Sequence, residues 1–195
     1  MYRSATLLLI ILAASLPATS VAAQVDTHPT DTRSGAWFGF GAGLGSQSVS
    51  CSICTQDRRV GTAVYLRGGA TLNPRVRLGL ETTGWARFDE VDQFVGSVGL
   101  IAHFYPDPGR GLFLKAGPAI TFFRAKDDED TQIGSTSYGL TVGAGYEVPV
   151  RPGWSLTPFL DLMASTLGTL TSEGQSITGR TGVTLIQLGV GLTLH

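Results

Sequence analysis

Beyond Leu16 the chain holds no apolar run approaching the roughly 20 residues that a membrane-spanning helix requires. Any passage through a bilayer after that point needs another route. Charge of one sign is missing too. Fourteen Lys and Arg stand against 15 Asp and Glu, which gives no electrostatic case for binding nucleic acid. Two cysteines and three histidines (28, 103 and 195) are too few and too scattered to suggest a metal cluster, and no cofactor is implied. Convincing helical periodicity is absent after the first 24 residues.

What is present begins with Arg3 followed by "ATLLLIILAASL" (Ala5–Leu16) and "PATSVAAQ". A basic start, a short apolar core and a small-x-small end predict a secretory signal peptide over residues 1–23, cleaved between Ala23 and Gln24. Residues 24–35, "QVDTHPTDTRSG", are polar and aperiodic and read as a leader. From residue 36 to 195 an alternation of period 2 recurs eight times, over about 36–46, 59–71, 76–87, 93–105, 112–124, 136–148, 154–165 and 181–194. Such alternation predicts strands with two unlike faces. Three connections are tight and rich in Pro or Gly: "LNPR" (72–75), "PDPGRG" (106–111) and "PVRPG" (149–153). The other four are polar, and three of them are long: 46–58, 126–135 and 167–180.

Every segment keeps one parity. Even positions carry Phe38, Leu44, Leu66, Leu80, Leu100, Leu140, Leu160, Leu188 and their like, and the first charge among them is Arg124 at the end of the fifth segment. Odd positions carry most strand glycines, the threonines and serines, and nearly all the charge. Alternation alone does not say which face points inward: a soluble lipocalin-like barrel turns its apolar face in, a membrane barrel turns it out. The glycines arbitrate. Gly is a poor choice for an exposed strand face but suits a narrow lumen, where small residues must make room for a few large ones. The even face therefore belongs against lipid, and a strand crossing lipid must close into a barrel. Pro118 and Pro158 interrupt that face, each removing a ladder donor, and predict a bulge or local irregularity.

The expectation is an all-β, eight-stranded antiparallel up-and-down transmembrane barrel with even strand count and short turns on the side of both termini. In this the chain resembles the small eight-stranded outer-membrane barrels, the OmpA/OmpX-like family. The resemblance implies a bacterial outer-membrane location, tight turns in the periplasm and long loops outside. It implies outer-membrane lipid and the barrel assembly machinery as partners, with no surface ligand indicated. Family members usually end in an aromatic residue; this chain ends in His195.

Several residues could carry chemistry. The lumen-facing charges are Arg67, Arg77, Glu81, Lys115, Glu147 and Asp161, three of each sign. A turn symmetric about Pro74 sets Arg67 opposite Glu81. Pairing predicts a plug of charges that fixes register, since an unpaired buried charge is costly; a narrow ion path or gate is the functional alternative. Phe38, Phe104, Tyr146 and Trp154 fall near the short-turn ends of the even face, and Phe94, Phe122 and Tyr138 near the long-loop ends, as two interfacial girdles would. Cys51 and Cys54 form a C-x-x-C in the first long loop. The secreted setting points to a local disulfide, with a redox-active pair and free thiols as alternatives. The acidic "KDDED" (126–130) reads as a solvated loop, and "GFGAGLG" (39–45) lacks the Lys-Ser/Thr and helix of a phosphate loop. No catalytic or metal-binding set emerges. The reading is a non-enzymatic barrel serving envelope integrity or surface contact through its loops, with a lipid-modifying enzyme or a soluble periplasmic binder as alternatives.

Overall fold

The computed structural model describes residues 33–51, 58–89, 91–127, 132–172 and 175–195. The signal peptide, most of the leader and Cys54 lie outside the described residues. Strand order is β1 (Ala36–Cys51), β2 (Arg59–Asn73), β3 (Val76–Arg87), β4 (Val91–Phe104), β5 (Leu112–Asp127), β6 (Gln132–Tyr146), β7 (Val148–Arg151), β8 (Trp154–Ser172) and β9 (Gln175–Leu194). Each of β1 to β5 pairs antiparallel with the next strand, as does β8 with β9. Pairing of β1 with β9 joins the first strand to the last. Pairing of β6 with β8 completes the ring. Among the described residues every strand but the short β7 is paired on both sides, and such closure is what hydrocarbon demands of a strand-built span.

Nine strands make eight staves, because β6 and β7 are one stave interrupted at Glu147. The register against β8 is the same on both sides of the break, with Gly145 opposite Phe159 and Val148 opposite Leu156. The lapse lies across from Pro158, which has no N–H to give the ladder. Pro118 acts alike: β4–β5 pairing runs through Gly99↔Ala119 and resumes at Ala102↔Ala116. Both prolines thus create irregularities, but neither shifts the register, so no bulge forms at them.

The parity of the sequence decides the faces. Even positions from Phe38 to Val190 point outward, and Leu44 and Leu188 are each 65% exposed. The odd positions fill the interior, and Gly96 is the single buried strand residue of even number among the described residues. So wide an apolar exterior has no place on a soluble protein, and the soluble-binder alternative fails here.

Strand ends on the short-turn side fall where the Pro and Gly residues put them, with Gly153 taking a left-handed φ of 74° in the turn between β7 and β8. The other ends differ from expectation. β1 runs to Cys51, β5 to Asp127, β6 begins at Gln132, and β8 and β9 run to Ser172 and from Gln175. Most of the residues read as loops at 46–58, 126–135 and 167–180 are therefore strand. The cause is physical. Above the bilayer both faces of a strand can be polar, so alternation fades while the backbone ladder continues.

Candidate functional site: the filled lumen

Three layers of side chains fill the tube. At mid-height Lys115 Nζ donates to both carboxylate oxygens of Glu81 and to Asp161 Oδ2, each at 2.7 Å. Arg67 is opposite Glu81 in the ladder, yet its Nη1 stays 3.9 Å from Glu81 Oε2. The guanidinium instead lies over the rings of Tyr65 and Phe113, 4.5 and 5.2 Å from their centroids. Lys115 is the closer partner because it comes from across the lumen and meets two carboxylates at once. All four charges are buried.

Toward the short turns the lumen becomes aromatic and then ionic. His103, on the inner face, stacks on Phe113 at 4.5 Å and lies 4.8 Å from Trp37. Below it Arg77 Nη1 donates to Glu147 Oε1 at 2.8 Å and to the Tyr105 hydroxyl at 2.9 Å, and that hydroxyl donates to the same Glu147 oxygen at 2.9 Å. Burial first, and the neighbouring carboxylate second, hold the Tyr105 phenol above its ordinary pKa, so it stays a donor. The lapse between β6 and β7 lies at Glu147, whose N–H bonds to Gly111 O at 2.9 Å.

Toward the loops the lumen holds an apolar cluster among buried Gln47, Gln93, Ser135, Ser137 and Ser165. Val49, Ala63, Trp85, Val95, Phe123, Met163, Val183 and Leu185 form one buried cluster. Trp85 is 0% exposed and its indole Nε1 donates to Gly45 O at 2.8 Å. The lumenal glycines make room for these large groups. A Cβ on Gly45 would come 2.5 Å from Trp85 Cδ1, one on Gly61 2.9 Å from Trp85 Cε2, and one on Gly41 2.5 Å from Tyr65 Cε1. The apolar cluster was the part the sequence reading missed. Its signal is the run of large apolar residues at odd numbers, which a face labelled small and polar conceals.

On the outside, Phe38, Phe94, Phe104, Phe122, Tyr138 and Tyr146 are exposed, and Trp154 is partly covered. The Arg151 guanidinium lies over the Trp154 ring at 4.2 Å. The pairing of Cys51 with Cys54 falls outside the described residues.

One contact has the composition of a hydrolytic pair: Ser155 Oγ lies 3.0 Å from His195 Nε2. The other ring nitrogen, Nδ1, is 2.8 Å from Arg77 Nη2. A guanidinium only donates, so Nδ1 must accept and Nε2 must carry the proton. In that tautomer His195 donates to Ser155 and does not draw its proton, so the serine is not activated.

No family model matches the chain, and no curated protein matches it. Solved structures do. Neisserial surface protein A is 17% identical, with a TM-score of 0.53 over 82% of this chain and 98% of that one. A major outer membrane protein from Thermus thermophilus is 17% identical at a TM-score of 0.49, over 82% and 98%. OprG from Pseudomonas aeruginosa is 11% identical at 0.48, over 84% and 98%. The chain has the fold of the small eight-stranded outer-membrane barrels.

Proposed function

We propose that this protein is a non-enzymatic component of a bacterial outer membrane, a closed barrel that serves envelope integrity or surface contact. The observation that supports the reading best is the pairing of an apolar exterior with an interior packed by side chains. The first fits lipid and the second leaves no open aqueous path through the described lumen. The strands also exceed the 9–11 residues a tilted strand needs to cross a bilayer: β8 has 19 and β9 has 20. The surplus lies on the loop side, so the barrel rises above the membrane as a rigid stem that presents the connections at its tip. Surface contact would be made there, on a stem rather than on long mobile loops. Outer-membrane fractionation combined with heat-modifiable gel migration tests the reading. Recovery with outer membranes in a form that migrates differently before and after boiling supports it; recovery in a detergent-free soluble fraction refutes it.

A further inference from the structure

Arg33 and His195 meet across the short-turn mouth of the lumen, and neither merely continues a strand. Arg33, three residues before β1, reaches over the mouth. Its Nη1 donates to Pro108 O, its Nη2 to Arg110 O at 2.8 Å, and its Nε to Glu147 Oε2 at 3.4 Å. Its guanidinium also sits over the Tyr105 ring at 4.1 Å. From the other end His195 follows β9, anchored by its N–H to Gly153 O at 3.0 Å. Its ring spans from Arg77 on β3 to Ser155 on β8. β1 and β9 form the seam between the first and last strands, so Arg33 ties one seam strand to the turn between β4 and β5 and His195 ties the other to β3 and β8. Glu147 is the shared acceptor, touched by Arg77, Tyr105 and Arg33, with His195 Nε2 3.9 Å from Oε2.

We propose that this cluster is an acid-released clamp: neutral His195 closes the short-turn mouth, and its protonation opens it. The reasoning is the tautomer. Protonation puts a hydrogen on Nδ1, where Arg77 already points a donor at 2.8 Å, so an accepting contact becomes a cation facing a cation. Glu147 offsets this only weakly, because it is farther away and two guanidiniums already share its charge. Among the described residues, Asp107 pairs with Arg110 at 3.1 Å and Arg151 is turned outward onto Trp154. Histidine is the side chain whose ordinary titration falls in the range an envelope protein meets when its surroundings acidify. The proposal goes beyond the proposed function, since a barrel with a static mouth would serve that role equally.

The test places a reporter above the clamp. Thr157 is buried one step inside Ser155 and takes no part in the clamp. A Thr157→Cys chain that also carries Cys51→Ser and Cys54→Ser is reconstituted, and labelling by a charged, membrane-impermeant thiol reagent is timed at about pH 7.5 and about pH 5.5. His195→Gln in the same background is the reference: its amide can accept from Arg77 and donate to Ser155 but does not titrate, so it also corrects for the thiol's own pH dependence. Relative to that reference, the His195 chain should label at the same rate at the higher pH and on the order of tenfold faster at the lower. His195→Ala should label fast at both. Equal rates for the His195 and His195→Gln chains at both pH values, or full protection in His195→Ala, overturns the proposal. If Thr157→Cys does not give a heat-modifiable barrel, amide exchange of residues 153–157 and 191–195 in the cysteine-free chain carries the same expectations and the same refutation.

Discussion

The two ends of the same strands differ in where their charge and their apolar surface lie. In the half next to the short turns the outer face is Leu, Val and Phe, while the lumen holds Arg67, Arg77, Glu81, Lys115, Glu147 and Asp161. In the half next to the loops the outer face passes from Phe94, Phe122 and Tyr138 to Ser46, Ser48, Ser50, Thr136, Thr166 and Thr184, while the lumen gathers Trp85, Phe123, Met163 and Leu185 among buried Gln47, Gln93, Ser135 and Ser137. The lower half carries its charges inside and its apolar surface outside, and the upper half adds an apolar lumenal cluster under a more polar exterior, on one set of hydrogen bonds. The difference shows that solvent, not fold, sets which face is greasy. Hydrocarbon leaves polar groups only the lumen, where they must pair; water allows the hydrophobic effect to fill the lumen instead.

Substitutions that ignore this boundary should separate the two halves. The largest effect is expected for Lys115→Met, which strands Glu81 and Asp161 together in the lower lumen. Removing one partner of a buried ionic cluster costs about 3–5 kcal/mol, to be read from urea unfolding of the reconstituted barrel. Adding Glu81→Gln and Asp161→Asn should recover most of that loss. Leu188→Arg puts a charge on the exposed lower face, where about 2–4 kcal/mol is expected at the bilayer midplane. Gly45→Val drives a side chain into Trp85 in the upper lumen, and overpacking of this kind costs about 1–3 kcal/mol. It should also change the near-UV signal of Trp85. The smallest effect belongs to Thr166→Arg, outward like Leu188 but above the apolar band, where about 0–1 kcal/mol is expected. If Leu188→Arg and Thr166→Arg cost the same, the boundary between the halves is wrong.

Much of this was legible in the residues. The eight staves, their parity and the tight turns follow from period-2 alternation and from Pro and Gly at 72–75, 106–111 and 149–153, because those constraints are local. The register across Pro74 was legible for the same reason: it sets Arg67 opposite Glu81. What could not be read depends on closure. Lys115 reaches Asp161 only because the ring brings β5 and β8 within one side chain's length, a distance that no sequence spacing encodes. Arg33 and His195 read as a leader residue and an atypical terminus, since each gains its partners only when the barrel is shut. The upper strands were read as loops because Ser46, Ser48 and Ser50 erase the contrast that marks a strand.

The central claim is the orientation of the faces and its inversion along the strands, and a spin-label scan of β9 from residue 182 to 194 in lipid bilayers tests it directly. Oxygen should relax labels at 186, 188, 190 and 192, a water-soluble nickel chelate should reach 182 and 184, and odd positions should be shielded from both. Oxygen access at the odd positions, or one uniform profile along the whole outer face, would contradict it.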